Sequence, residues 1–217
     1  LEPFYERIRR LPIPPPILKS PSEVAEEEPA LRSTRAIFIP STGILDAAGY
    51  VKALAGWLEN KGCQIVLNCE VQGVKDSALL TTRGEIPFDL AINSAGLFAD
   101  AVARLAGLPQ ADDYEIRPCR GDYYLIQKKM IGRPVYHLPS TRPPQADSLR
   151  AGPGTHGLGV HLTPTIDGQT LLGPNAFFIE EKTDYQHRSD PAAFEAAVRF
   201  YLPQCNGLQI SPAYSGN

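Results

Sequence analysis

A short apolar run that ends in small residues constrains the fold of this chain most. Leu90–Asn93 leads into Ser94–Gly96 and then into a helical pattern from Phe98 to Leu105, which Gly107 and Pro109 end. An apolar run of this kind before a glycine turn is typical of a strand that is buried on both faces. The segment therefore predicts a strand–turn–helix unit of an α/β domain.

Patterns before this run predict one helix and a small antiparallel sheet. Asp46 is a good N-cap for a helix whose apolar residues recur at helical spacing from Ala47 to Leu58, and Gly62 gives it a left-handed end. Short strands are then predicted at residues 64–67, 71–74, 79–82 and 86–88.

Residues 1–40 are proline-rich, and we interpret them as a segment between domains. Pro14–Pro16 exclude a helix locally and favour an extended path. A helix is predicted to begin where Ser20 can act as the cap and Pro21 fits the first helical position. Ala36–Pro40 predicts a short strand.

The pattern changes after Glu115 and predicts a second, mostly antiparallel domain that ends near residue 202. A turn is expected at Asp167-Gly168, a helix at residues 191–201 with Ser189 or Asp190 as its cap, and a mobile loop at residues 140–154. Strands are predicted at residues 116–127, 157–163 and 170–173. The fold class is thus α/β (α+β): part of an α/β domain plus an antiparallel domain.

Composition excludes several classes of protein. A net charge of −3 provides no basic face for nucleic acid, and no run approaches the roughly 18 apolar residues of a transmembrane helix. Cys63, Cys69, Cys119 and Cys205 form no C-x-x-C pair, so we expect no metal site and instead buried structural thiols in a reducing compartment. A cytoplasmic protein, at most peripheral to a membrane, is the expectation.

The small residues at 94–96 have two interpretations. Backbone N–H groups at the start of a helix, without bulky side chains around them, let a phosphate or a flavin ring approach closely. Alternatively, Ala95 and Gly96 only allow the strand and the helix to pack tightly. The pattern alone leaves both open.

A resemblance to a known family rests on several motifs. Residues 93–100, Asn-Ser-Ala-Gly-Leu-Phe-Ala-Asp, closely resemble the N-x-A-G-x-x-A-D segment of the D-amino-acid oxidase-like flavoprotein superfamily. Residues 40–46, 62–65 together with 70–71, and 117–124 resemble other segments of that superfamily, in the same order. The closest likeness is to its L-2-hydroxyglutarate dehydrogenase/oxidase branch, through residues 120–124, 159–168 and 173–176.

The resemblance implies an FAD-dependent oxidoreductase. Residues 41–114 would form part of the FAD-binding domain, residues 115–202 the substrate-binding domain, and residues 203–217 the start of a return strand to the FAD domain. The residues that it implies for contact with FAD are Val71, Ser94, Ala95, Gly96 and Leu97.

One part of the family pattern is missing. These families begin with a strand and a G-x-G-x-x-G loop that holds the pyrophosphate. The stretch Gly152-Pro153-Gly154 contains proline and opens no helix, so it does not supply that loop. We therefore expect an internal fragment that is inactive alone, and we expect its exposed sheet edges to favour self-association.

His161 is the candidate catalytic residue for the implied oxidation of an L-2-hydroxyacid. A histidine with a near-neutral pKa suits removal of the hydroxyl proton, although a hydrogen-bonded structural histidine is the alternative. The substrate would be a small carboxylate, and Arg120 is the leading residue to bind it, unless it forms a salt bridge to Asp122. Tyr123 and Tyr124 point to opposite faces of their strand. Further polar candidates for substrate binding are Tyr123, Tyr136, Thr163 and Asn175.

Other functions remain open at this point. A glycerol-3-phosphate dehydrogenase-like or amine-oxidising flavoprotein shares the first motif, and a phosphate substrate would need several cations. A non-catalytic binding domain derived from the same fold is an alternative of another class. The basic residues that keep the phosphate alternative open are Arg117, Arg120, Lys128, Lys129, Arg133, Arg142 and Arg150.

Overall fold

A computed structural model describes residues 1–138, 159–205 and 207–217. The chain forms two compact units: unit 1 draws on residues 1–45, 119–178 and 184–217, and unit 2 on residues 46–118 and 179–183. The four segments expected from the sequence stay a prediction. Residues 1–40 and 203–217 both belong to unit 1.

Unit 1 begins with two short helices and two short strands: α1 (Glu2–Ile8), β1 (Ile17–Lys19), α2 (Pro21–Glu27) and β2 (Ala36–Phe38). β1 and β2 pair antiparallel. Ser20 and Glu23 form a reciprocal capping box at the start of α2, in which each side chain accepts a hydrogen bond from the other residue's backbone. The predicted helix after Ser20 and the strand at 36 are confirmed, whereas α1 was not predicted.

Unit 2 contains α3 (Ala47–Asn60), a three-stranded antiparallel meander and α4 (Ala99–Leu105). The strands of the meander are β3 (Val71–Lys75), β4 (Ala78–Thr81) and β5 (Gly84–Pro87). Asp46 caps α3 by accepting a hydrogen bond of 2.9 Å from the backbone of Gly49, and Gly62 has a φ of 83° just beyond its end. These predictions from the sequence are confirmed.

Two predicted strands of unit 2 are wrong. Residues 64–67 and 90–93 both lack strand structure. Leu90 and Ile92, expected to be buried on both faces, are each 80% exposed. A strand of that kind needs a neighbour on each side, and no strand in the described part of the chain pairs with this run.

The main sheet belongs to unit 1 and is antiparallel throughout. Its order is β10 (Ile210–Gly216), β6 (Cys119–Ile126), β8 (Thr170–Gly173) and β7 (His161–Pro164), and β9 (Phe177–Phe178) pairs with the start of β6. The predicted antiparallel domain is confirmed in this respect. Residues 203–217 supply β10, and the expected return to the FAD domain stays a prediction.

One face of this sheet carries the hydrophobic core. Tyr124, Leu172 and Leu162 lie side by side on adjacent strands and are almost fully buried. The helix α5 (Pro191–Val198) covers them with Phe194 and Val198. Asp190 caps α5, as predicted, and the helix ends three residues earlier than expected. Mixed helix and antiparallel sheet confirm the predicted fold class.

Several smaller expectations have mixed outcomes. All four cysteines are free thiols, but Cys205 alone is buried and Cys63 is exposed, so the expectation of four buried thiols was wrong. In the described residues, no helix is long and apolar enough to span a membrane. The predicted loop at 140–154 and the first residues of the strand predicted at 157–163 lie outside the described residues.

Candidate active site

The face of the unit 1 sheet opposite the core carries four ring side chains, which we call the aromatic face: Tyr123, Tyr136, His161 and Tyr214. Tyr214 on β10 pairs directly with Tyr123 on β6, and His161 on β7 pairs directly with Gly173 on β8. Tyr124, by contrast, points into the core, so the predicted opposite orientation of Tyr123 and Tyr124 is confirmed.

The four rings form two stacked pairs. Tyr123 and Tyr214 stack with centroids 4.6 Å apart, and Tyr136 and His161 stack at 4.2 Å. Val135 exchanges backbone hydrogen bonds with Leu162, which holds the neighbouring Tyr136 over β7. Tyr136 and Tyr214 are about half exposed, at 49% and 51%. Tyr136 and Tyr214 are therefore the rings of this face that a ligand can reach, while His161 is largely covered.

Gly173 allows this packing. Its φ of 132° lies in the region that favours glycine. A β-carbon at this position would lie 2.9 Å from the carbonyl oxygen of Asp122 and 3.0 Å from Cδ1 of Tyr123. The ring of Tyr123 can lie against β8 because Gly173 has no side chain.

His161 is largely buried, and its protonation state follows from its contacts. Nδ1 lies 3.0 Å from the carbonyl oxygen of Gly159. A carbonyl only accepts hydrogen bonds, so Nδ1 carries the proton and Nε2 keeps its lone pair. Burial lowers the pKa of His161 below its usual 6.5, against a smaller opposing effect of the bond to Gly159, and the charge of His137 lowers it further. His161 is therefore neutral at pH 7, as a general base must be.

Arg120 does not lie on the aromatic face. Its guanidinium is 1% exposed, pairs with Asp184 at 2.9 Å and with Asp122 at 3.5 Å, and lies over the ring of Phe177. Two carboxylates already neutralise its charge. The geometry thus favours the salt bridge to Asp122, the alternative left open by the sequence, over contact with a substrate carboxylate.

Asp122 organises the back of the site. Its carboxylate is fully buried and accepts hydrogen bonds of 2.6 Å from the hydroxyls of Ser189 and Ser215. It also accepts bonds of 3.1 and 3.0 Å from the backbone N–H groups of Arg188 and Ser189. Burial alone would raise the pKa of Asp122, but these hydrogen bonds lower it overall. Asn175 accepts from the backbone of Asp122 and donates to Ser189, so its amide is also engaged within the protein.

The remaining predicted residues are distributed as follows. Thr163 follows His161 by two residues on β7, pairs with Leu171 and therefore shares the face of His161. Arg133 is held by the carboxylates of Glu27 and Glu28. Lys128 and Lys129 are exposed, and Arg142 and Arg150 lie outside the described residues. No cluster of three or more metal-ligating side chains occurs in the part of the chain that the structure describes.

The turn at residues 93–100 of unit 2 is held by its first and last residues. The Asn93 side chain accepts from the backbone of Ala95 and donates to the carbonyl of Ala99. Asp100 is buried and accepts hydrogen bonds from Lys182 at 2.6 Å and from the backbone of Ile116. Hydrogen bonds from Lys182 and from backbone groups keep the pKa of Asp100 well below its usual range.

The backbone between these residues is accessible. Ser94, Ala95 and Gly96 are exposed, while Leu97 and Val71 are partly buried. Gly96 has a φ of 55°, and no heavy atom lies within 4 Å of the position that a β-carbon would occupy. A planar or anionic group can reach this backbone, so the segment fits contact with a flavin cofactor.

Comparison with known proteins identifies the family. The family model described as "FAD dependent oxidoreductase" matches residues 1–217. This chain belongs to that family. By that description, its members are oxidoreductases that depend on FAD.

Curated relatives narrow the comparison. L-2-hydroxyglutarate dehydrogenase of Escherichia coli is 30% identical over 174 residues, which are 76% of this chain and 38% of that protein. The human mitochondrial L-2-hydroxyglutarate dehydrogenase is 29% identical over 205 residues, or 86% of this chain and 41% of that protein. This chain thus spans about two fifths of the length of these relatives.

Solved structures confirm the fold. L-proline dehydrogenase from P. horikoshii superposes on 93% of this chain with a TM-score of 0.75 at 19% identity, over 52% of its own length. An L-alpha-glycerophosphate oxidase from Mycoplasma pneumoniae with FAD bound covers 98% of this chain with a TM-score of 0.70 at 20% identity, over 59% of its own length. At these identities the likeness shows the fold alone.

Sequence reasoning missed Tyr214 and the role of Asp122. Pattern places Tyr214 in a strand, but only an irregularity in β10 decides which face it occupies. Asp122 stands next to Tyr123 in the motif at 120–124, and its strand position predicts a side chain on the face opposite to Tyr123. That signal was available.

Proposed function

We propose that the full-length protein oxidises an L-2-hydroxyacid, such as 2-hydroxyglutarate, by hydride transfer to FAD. Two curated relatives bear the name L-2-hydroxyglutarate dehydrogenase, and their identity to this chain covers three quarters or more of it. The observation that carries the proposal within this chain is the neutral, oriented imidazole of His161 on an exposed aromatic face.

His161 would act as the general base. Oxidation of a 2-hydroxyacid removes the hydroxyl proton and, as a hydride, the hydrogen on the carbon that bears the hydroxyl. FAD, when bound, would accept the hydride. Nε2 of His161 is the atom proposed to take the hydroxyl proton. The stack with Tyr136 and the hydrogen bond to Gly159 would fix the imidazole plane during that transfer.

FAD contact is proposed for Val71, Ser94, Ala95, Gly96 and Leu97. The support is the exposed, small-residue backbone at 94–96, where the open space at Gly96 admits a flat group. We further propose that this chain alone is inactive, because the glycine-rich loop that seats the pyrophosphate in such families is not found in it. We also propose a cytoplasmic location, because all four cysteines are free thiols and thiols stay reduced in the cytosol.

Replacement of His161 by glycine in the full-length holoenzyme tests the proposal. Loss of a general base should lower kcat by about 10²- to 10⁴-fold. Added imidazole should restore part of the rate, because it can occupy the vacated space and accept the proton. Anaerobic bleaching of the flavin by L-2-hydroxyglutarate is the measurement, with glycerol 3-phosphate and glycine as comparison substrates.

The pH profile gives a second readout. The base must be neutral, so kcat/KM should fall as the pH falls through the pKa of His161, which lies below 6.5 because of burial. An unchanged rate in the His161→Gly variant would contradict the proposed base. Bleaching by glycerol 3-phosphate or glycine but not by L-2-hydroxyglutarate would replace the substrate assignment. Arg120 and Arg133 are each paired with carboxylates, which disfavours a phosphate substrate.

A further inference from the structure

A β-bulge determines the position of Tyr214. β10 pairs with β6 from Ile210 opposite Ile126 up to Pro212 opposite Tyr124, and the register then shifts so that Tyr214 stands opposite Tyr123. Without the register shift, Ala213 would stand opposite Tyr123. A bulge re-aims the following side chain, and bulges are enriched beside active sites. The irregularity therefore brings a third tyrosine onto the aromatic face.

Within the described strands of the unit 1 sheet, no lysine or arginine lies on the aromatic face. Arg120 is the only lysine or arginine in strands β6, β7, β8 and β10. Its guanidinium is buried and bound by Asp122 and Asp184. The polar groups that this part of the face offers to the carboxylate of a hydroxyacid include the phenolic hydroxyls of its tyrosines.

We propose that Tyr214, together with Tyr123 and Tyr136, binds the substrate carboxylate through phenolic hydroxyl groups on the aromatic face. The inference rests on the proposed function and assigns carboxylate binding to these tyrosines in place of Arg120. Tyr214 and Tyr136 are each about half exposed, and each ring stacks on a neighbouring ring of the aromatic face.

The chemistry of phenols suits this position. A neutral phenol donates one hydrogen bond to a carboxylate, and hydrogen bonds to a charged group are stronger than those between neutral groups. Burial raises the pKa of Tyr214 and of Tyr123, so both keep their protons and remain donors. Neutral donors also add no positive charge beside His161, whose proton affinity a cation would lower further.

Substitution of Tyr214 by phenylalanine in the full-length holoenzyme tests the inference. Phenylalanine keeps the stack with Tyr123 and removes the hydroxyl alone. We expect the Kd for glutarate, a dicarboxylate without the reactive hydroxyl, and the KM for L-2-hydroxyglutarate to rise about tenfold. The value of kcat should change by less than about threefold, because binding rather than proton transfer is affected.

Tyr185→Phe is the matched control, because Tyr185 is 52% exposed and belongs to the same unit but not to the aromatic face. Tyr136→Phe is a second test variant and should weaken glutarate binding similarly. Unchanged Kd for glutarate in both test variants, or equal effects in the control, would overturn the inference. Flavin bleaching by L-2-hydroxyglutarate reports separately on the proposed function, since glutarate binding requires no turnover.

Discussion

Among single residues, Asp122 shows how one buried charge can tie several segments of chain together. It lies on β6 and accepts hydrogen bonds from Ser189, which precedes α5, and from Ser215 on β10. Arg120 adds an ion pair from the same strand. A buried carboxylate is tolerated only when its oxygens are satisfied in this way. The side chain therefore holds the core side of the sheet that presents Tyr123 on its other face.

Replacement of Asp122 by asparagine should destabilise the protein by about 3 to 5 kcal/mol, because it removes one partner from a buried charged network. The NH2 group of asparagine would also face the N–H and O–H groups that donate hydrogen bonds to Asp122. Urea-induced unfolding followed by circular dichroism measures the change. Asp89→Asn is the control, since Asp89 is exposed. An equal, small effect in both variants would show that Asp122 contributes little.

The pKa of Asp122 predicts a specific dependence of stability on pH. Its folded-state pKa is lowered, so the unfolded chain binds a proton more readily than the folded one. Its contribution is complete above the unfolded value of about 3.9 and is lost as the pH falls through the lower folded value. Between pH 6 and pH 3 the wild-type protein should therefore lose more unfolding free energy than Asp122→Asn. Parallel losses in both proteins would contradict this.

The sequence predicted part of the candidate site at this scale. Residue type and the family resemblance select His161, Tyr123, Tyr136 and Thr163; these residues lie on one face, and their roles stay a prediction. They did not reveal that Arg120 and Asn175 have partners inside the protein, because residue type alone does not show whether a polar group is already satisfied.

Elements were predictable where their partners are local in sequence. The meander β3–β4–β5 and the capped helices α2, α3 and α5 depend on turns and caps within a few residues. Residues 90–93 have the composition of a buried strand. A buried strand forms only where neighbouring strands pair with it, and the local sequence pattern does not show whether such strands are present. The bulge in β10 could not be predicted either, because it arises from pairing with β6, and β7, β8, β9 and α5 lie between these two strands in sequence.

The cap of α5 allows a prediction for a single element. Asp190 accepts a hydrogen bond of 2.9 Å from the backbone of Ala192, and α5 carries Phe194 and Val198 into the core. Asp190→Ala should therefore lower the unfolding free energy by about 1 kcal/mol, within a range of roughly 0.5 to 2. The exposed Glu181 offers the control Glu181→Ala, which should change it by less than about 0.5 kcal/mol. Chemical denaturation distinguishes the two; equal values would refute the cap.

For the whole molecule, the two units differ in how they bury apolar surface. Unit 1 has a core between its sheet and α5. In unit 2, α3 has no buried residue, and Val51 and Trp57 on it are 63% and 57% exposed. Leu90 and Ile92 add further exposed apolar surface. Apolar area of this extent on a described unit favours association.

We therefore expect this 217-residue chain, when isolated, to self-associate in a concentration-dependent manner through α3 of unit 2. Trp57 is the only tryptophan of the chain, so its fluorescence reports on that helix alone. Emission should shift to shorter wavelength as concentration rises, in step with an increase in mass measured by light scattering, because association removes the indole from water. The Trp57→Tyr variant has no tryptophan fluorescence, so its association can be followed only by light scattering. Val51→Glu should weaken association, because it places a charge in the contact. A constant monomer mass with red-shifted emission at every concentration would show that this exposed face is inert.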